Sequence, residues 1–258
     1  MDHRTITYRK ASGLARFRAL AVMCCALLGA DVAAQVTGPA PAATPAPPKA
    51  ESRNLAPGFK ALPEGAKLVV MPVDIELYSI SGGGVLEPRA DWTRAATGHF
   101  MTALMQKQDR LGLKSIRVSD ADADEFEELN NLHGAVANAI AMHHFGPLAL
   151  PTKAGQLDWA LGEATLPIKA KTGAQYALFT WFRDSYASDE RKAAMIALAM
   201  FGIGVTGGFQ VGYASLVDLD TGRVVWFNHL VRSTGDLREA VPAQDTLEAL
   251  LKDFPVPQ

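Results

Sequence analysis

Cysteine is nearly absent from this chain. Of 258 residues only Cys24 and Cys25 carry a thiol, and they stand side by side near the N-terminus. No disulfide framework is available downstream of them, so stability must come from a packed core. A basic excess is missing as well: 25 Lys and Arg stand against 27 Asp and Glu, for a formal net charge of −2. That balance argues against nucleic acid as a partner, because a phosphate-binding surface needs a cationic excess. Catalytic signatures are lacking too. The three glycines in Ser81–Pro88 are followed by no Lys-Ser/Thr and show no G-x-G-x-x-G spacing, so they make no phosphate loop. No G-x-S-x-G is present, which removes the nucleophile elbow of the α/β-hydrolases. Metal-ligand spacing is also missing. His133 and His143 lie ten residues apart, and the neighbours His143 and His144 leave a helix in different directions. His143 and His144, at a helix end, are accounted for by the helix dipole. No metal, cofactor or catalytic residue is expected.

What is there begins with an export signal. Arg4, Arg9, Lys10, Arg16 and Arg18 precede the apolar run ALAVMCCALLGA, and Val32-Ala33-Ala34 supplies small residues for cleavage. This order describes a secretory signal peptide over residues 1–34, and the run is short for a permanent bilayer span. Met23 fits poorly ahead of a lipidated cysteine, so cleavage after Ala34, which removes both thiols, is the expectation. Residues 35–57, QVTGPAPAATPAPPKAESRNLAP, are rich in Pro and Ala with little bulky apolar surface. They predict an extended, disordered tether. A single folded domain is expected over 58–258, outside the inner membrane and in the periplasm.

The hydrophobic pattern of that domain reads as α/β (α+β): a mixed, mainly antiparallel sheet of four to five strands with packed helices. KLVVMPVDIELYSI from Lys67 predicts one buried strand with an irregularity at Pro72, and Ser81–Pro88 a flexible loop. Trp92, Ala95, Ala96, Phe100, Ala103 and Leu104 recur at helical spacing within Arg89–Arg110. His99 lies beside that stripe and reads as a packed or half-exposed histidine rather than a ligand. A short strand over Lys114–Val118 precedes a helix over 122–145 whose acids, Asp122, Asp124, Glu125, Glu127 and Glu128, complement its dipole. Its buried face is expected at Phe126, Leu129, Leu132, Val136, Ile140 and His143. A short helix is read around Leu157–Leu166, and a final one over Pro242–Phe254 with Leu247, Leu250, Leu251 and Phe254 on the sheet.

The centre of the domain is Gly173–Arg232. GAQYALFTWFRDSY is bulky on both faces and predicts a central strand. VGYASLVDLDTGRVVWFNHLVR predicts a hairpin, with Asp218 opening the turn and Gly222 supplying positive φ. Between them stands an apolar insert, residues 191–209. Ala193 to Val205 holds no polar side chain, and Gly204 and Gly208 have small-xxx-small spacing. Burial as a helix under the sheet is its first reading. The second is an interaction segment for a membrane or another protein copy, carried by Met195, Ile196, Met200, Phe201, Gly204, Gly208 and Phe209. A third makes it a pocket wall.

The "GAQYALF" strand, the "GYASLVDLDTGRVVWFN" hairpin and the closing "LLKDFP" helix together resemble the periplasmic α/β domain of envelope lipoproteins. These are the curli-secretion (CsgG-like) group, the TolB N-terminal domain and their relatives. The resemblance implies a non-enzymatic role in envelope assembly or secretion, with envelope proteins or further copies of the chain as partners. The contrasting expectation is a periplasmic hydrolase or small-ligand-binding protein using the Ser81–Pro88 loop, Asp91, His133 and His143 around one polar pocket.

Overall fold

A computed structural model describes residues 52–257 apart from 112, 114 and 119. The chain divides into two units, Met1–Pro48 and Lys49–Gln258. The first, with the expected signal peptide and most of the tether, lies outside the described residues.

The second unit is built on one seven-stranded mixed sheet. Its strands are β1 (Leu68–Val70), β2 (Asp74–Ile80), β3 (Leu86–Pro88), β4 (Ser115–Arg117), β5 (Tyr176–Ala187), β6 (Gln210–Asp218) and β7 (Val224–Arg232). The helices are α1 (Ala90–Leu111), α2 (Asp120–Ala123), α3 (Glu127–Ile140), α4 (Leu166–Thr172), α5 (Asp189–Ala199) and α6 (Ala240–Leu250).

β5 is the axis of the sheet, as its two-faced bulk predicts. On one side β1 and β2 run parallel to it end to end, β1 against Tyr176–Leu178 and β2 against Trp181–Ala187. On the other side β6 and then β7 continue antiparallel. The expected four to five strands become seven for two local reasons. Met71, Pro72 and Val73 break the run expected as one strand into β1 and β2, because proline donates no ladder hydrogen bond. The Ser81–Pro88 loop is a tight turn, with Ser81 N donating to Val85 O at 2.9 Å, whose last three residues pair with β2 as β3.

The two faces of the sheet bury separate cores, as alternation along the strands requires. Leu178, Phe182, Ala214, Leu216 and Trp226 pack against Phe100 and Leu104 of α1 and Leu247 and Leu250 of α6. Phe100 meets Phe182 edge-on with ring centroids 5.0 Å apart. On the opposite face Ala177, Phe179, Tyr213, Val217 and Phe227 pack against Leu129, Ala137 and Ile140 of α3 and Ile168 of α4. Each large side chain removed from water in this way contributes about 1.5–3 kcal/mol.

Turn chemistry fixes the β6–β7 hairpin as expected. The Asp218 carboxylate accepts from Asp220 N at 2.9 Å and Thr221 N at 3.1 Å, and Gly222 takes φ 68°. Three other expectations shift. The helix after Asp120 changes to a 3-10 turn over Asp124–Phe126 and ends as a π-turn over Ala141–Phe145. Its buried side is Phe126, Leu129, His133, Ala137, Ile140 and His144, so Leu132 and His143 point away from the core. The Leu157–Leu166 helix is instead an extended piece, with Ala160 bridging Arg223, followed by a 3-10 turn and α4. Finally, the described end of the expected tether is attached to the body: Leu55 bridges Trp226, and Asn54 Nδ2 donates to Phe227 O at 2.8 Å.

Candidate interaction surface and the cavity at its foot

The apolar insert leaves the sheet at the end of β5. Ser188 caps α5, its hydroxyl accepting from Arg191 N at 3.2 Å, and Asp189 and Glu190 occupy the positive end of the helix. Gly202, at φ 75°, turns the chain back. The return is clipped to β5: Ser185 N donates to Phe209 O at 3.0 Å, and Ala187 N to Gly207 O at 2.7 Å. Gly208 fits only because it has no side chain, since a Cβ there would stand 2.0 Å from Ser185 O.

Burial of this helix under the sheet, the first reading from the sequence, is overturned. α5 has no buried residue. Ile196 is 69 % exposed, Met200 77 %, Phe201 79 % and Ile203 50 %. Helix faces that cover a sheet need a wide apolar stripe against it, and here both faces of the sheet behind β5 are already taken by α1, α6 and α3. The insert is an arm projecting from the sheet. Of the other residues expected to form an interaction segment, Met195 is half-buried and lies against Gly207, and Gly204 faces open space. Phe209 sits at the root, 43 % exposed, and walls an apolar hollow of about 310 Å³ with Leu86, Trp181, Val211 and Tyr213. Gly204 and Gly208 therefore do not share one packed face within the chain. Among the described residues no helix is long and apolar enough to cross a membrane.

The residues set against a polar active-site pocket do not come together. Asp91 is exposed at the start of α1 and pairs with Arg89 at 3.1 Å. His133 is buried on the other side of the sheet, stacked on Phe179 with ring centroids 4.7 Å apart and 2.8 Å from Ser215 Oγ. Burial alone depresses its pKa to about 3, because nothing nearby favours the charged ring. His143 Nδ1 meets Leu148 O at 2.7 Å, and His144 Nε2 meets Arg53 O at 2.7 Å. His99 is half-buried on α1. Among the described residues no three His, Cys, Asp or Glu side chains are placed to hold a metal.

A different polar cluster stands at the foot of the arm. Asp184 of β5, Gln210 of β6 and Arg232 of β7 occupy one row across three strands. Asp184 is 2 % exposed. Its Oδ2 accepts from the Tyr186 hydroxyl and from Gln210 Nε2 at 2.6 Å, and its Oδ1 accepts from Ser185 N at 2.8 Å. Gln210 Oε1 accepts in turn from Arg232 Nε at 2.8 Å and Thr246 Oγ1 at 3.2 Å. The Tyr186 hydroxyl also accepts from Leu237 N at 2.8 Å, which ties the β7–α6 loop to β5. Burial raises the Asp184 carboxyl, against the lowering effect of its three donors. Burial and the adjacent carboxylate together push the Tyr186 phenol up. Beside this row opens a cavity of about 460 Å³, walled by Asp184, Ser185, Thr206, Gly207, Ser233 and Thr234 among others. Sequence reasoning passes over this row. Its signal is Asp184 itself, an acid on the same face of β5 as Leu178 and Phe182.

No protein-family model matches the sequence, and no curated protein does. Solved structures with a similar arrangement include a PelC dodecamer from Paraburkholderia phytofirmans, 16 % identical over 77 % of this chain and 93 % of that one, with a TM-score of 0.35. The C-terminal domain of LpoB from Salmonella enterica is 17 % identical over 69 % of this chain and 88 % of that one, with a TM-score of 0.27. Lipoprotein GNA1162 from Neisseria meningitidis is 12 % identical over 64 % of this chain and 81 % of that one, with a TM-score of 0.27. At these scores the likenesses carry no functional conclusion for this chain.

Proposed function

We propose that this protein is a non-enzymatic module of the bacterial envelope, exported to the periplasm, that binds envelope proteins or further copies of itself through the arm of residues 191–209. The observation that carries this reading is the exposure of Ile196, Met200, Phe201 and Ile203 on one projecting segment. Large apolar side chains grouped on a surface forfeit the stabilisation that burial would give, and such patches mark sites that another molecule covers. The export signal and the resemblance of the GAQY strand and hairpin to envelope domains support the location. The dispersal of Asp91, His133 and His143 removes the pocket on which the hydrolase reading rested.

The test is cross-linking and pull-down of the protein from cell envelopes, comparing wild type with Met200→Ser/Phe201→Ser. Both side chains lie on the outside of the arm, so the melting temperature is expected to stay within about 2 °C of wild type. Cross-linked partners or oligomers are expected to disappear in the variant. Identical cross-linking patterns in both proteins would sink the arm as the contact surface.

A further inference from the structure

We infer that the cavity at the foot of the arm binds a primary ammonium group, with the Asp184 carboxylate as its counter-charge. This site uses other side chains than the exposed apolar residues of the arm and does not depend on the arm's having a partner.

Asp184 is a carboxylate almost wholly withdrawn from water on the wall of a cavity of about 460 Å³. All three of its donors are neutral: a phenol, a carboxamide and a backbone amide. The three arginines of the region direct their hydrogen bonds to other groups, Arg191 reaching Thr206 O at 3.5 Å. Arg238 pairs with Asp236 at 2.6 Å and lies over the Tyr186 ring, 4.0 Å from its centroid, while Arg232 serves Gln210 and Thr246. No charged side chain donates a hydrogen bond to this carboxylate, Arg238 acting on it only through space, and a cation reaching it supplies that direct contact. Oδ2 is fully used by two donors, whereas Oδ1 accepts one hydrogen bond and keeps a lone pair for another. Ser233 and Thr234 line the same cavity, and their hydroxyls are of the kind that can accept from the remaining donors of an –NH₃⁺ group.

The lining also selects among cations. A divalent metal needs several anionic or carbonyl oxygens in one shell, and no set of three ligating side chains exists among the described residues. An ammonium needs one carboxylate and neutral acceptors, which is what the wall offers. The charged and titratable groups facing Asp184 are Tyr186 on β5, Arg232 on β7, and Asp236 and Arg238 on the β7–α6 loop. Because burial raises the Asp184 carboxyl, a bound cation lowers it again, and affinity is expected to fall as the solution is acidified.

The experiment titrates n-butylammonium chloride into the purified protein and follows the backbone amide resonances of Ser185, Gly207, Gly208 and Gly235. Sodium chloride and the neutral isostere n-butanol serve as controls. Saturable shifts are expected with butylammonium and none with butanol. Asp184→Asn is expected to weaken binding about tenfold or more, since one charge-assisted contact is lost. That variant also disturbs the hydrogen-bonded row, so Ser233→Trp provides the second arm. It adds bulk at an exposed position of the cavity wall and replaces neither Asp184 nor any of its donors, and is expected to abolish the shifts while the melting temperature holds. Nα-acetyl-lysine methylamide run beside butylammonium identifies the source: tighter binding of the former assigns a lysine side chain of a partner, equal or weaker binding a free amine. The proposal is overturned if butanol shifts the same amides equally, if no amine gives saturable shifts, or if Ser233→Trp binds butylammonium as wild type does.

Discussion

Gln210 faces Asp184 across the β5–β6 ladder, its Nε2 donating to Oδ2 at 2.6 Å while its Oε1 accepts from Arg232 on the far side. One carboxamide thus joins three strands, and it is 1 % exposed. Replacing it with Leu leaves Arg232 Nε without its acceptor and takes one donor from a buried carboxylate, while the Thr246 hydroxyl keeps the Pro242 carbonyl at 2.8 Å. A cost of about 3 kcal/mol is expected, from desolvated groups left unpaired. For a folded body of this size that corresponds to a fall of roughly 6–12 °C in melting temperature. Gln210→Glu sets a second carboxylate against Asp184 and is expected to be worse at neutral pH, recovering on acidification. Calorimetric scans of both variants at two pH values check the pair of expectations.

Asp184 itself has a pH signature of definite sign. Burial raises its carboxyl above the ordinary value of 3.8. The folded chain therefore holds that proton more tightly than the unfolded chain does. Its contribution to stability is complete below 3.8 and is lost as pH rises through the raised value. Asp184→Asn removes the titration. The stability of wild type relative to the variant is accordingly expected to rise as pH falls from 7 towards 4. Urea denaturation midpoints across that range measure it, and a difference independent of pH would show that the carboxyl is not raised.

His133 titrates in the opposite sense. Its folded-state pKa is about 3, against 6.5 for a free imidazole, because the ring is buried between Phe179 and Ser215. The unfolded chain takes up a proton below 6.5 that the folded chain refuses. Stability from this residue is thus present above 6.5 and is lost progressively as pH falls towards 3, by about 1.4 kcal/mol per pH unit at full effect. His133→Gln keeps a donor for Ser215 and cannot titrate. It is expected to be less stable than wild type at pH 7, for lack of the stacked ring, yet to lose less on acidification. An NMR titration of the His133 ring in wild type checks the same point directly: it should stay neutral well below pH 5.

The parts of this fold that the sequence makes legible are those where one local rule decides. Asp218 and Gly222 fix the hairpin by turn chemistry, and Phe100 and Leu104 fix the inner side of α1 by helical period. α3 misleads because it offers two phases. Leu132 and His143 look like part of the apolar side, but the buried line runs through His133, Ala137 and His144, with Val136 packed at its margin. Close approach to the sheet favours the smaller residues, and Gly134 lets the Trp181 indole come within 3.3 Å of where a Cβ would stand. The arm misleads for another reason. Ala193 to Ala199 is apolar on every side, so no polar face marks which way it turns, and burial and projection give the same pattern. The Asp184 row was invisible because its members come from three strands and meet only through register.

Two glycines separate what the fold needs from what a partner needs. Gly222 sits at φ 68°, and a Cβ there would stand 2.2 Å from Gly162 O in the turn that the hairpin packs against. Gly222→Ala is expected to cost about 2–4 kcal/mol, combining a left-handed backbone with a clash that neither main chain can relieve alone. Gly204, on the arm, has no positive φ and nothing within 4 Å of its missing side chain. Gly204→Ala is therefore expected to leave the melting temperature unchanged or to raise it slightly, since alanine restricts the unfolded chain by about 0.4–1 kcal/mol. The two variants then diverge in cross-linking experiments. If Gly222→Ala loses association, the loss follows its stability and says nothing of the arm. If Gly204→Ala loses association at full stability, a partner's backbone must approach position 204 too closely for a methyl group. That outcome would place the contact on the returning segment of the arm, and retained association in Gly204→Ala would leave it on Met200 and Phe201.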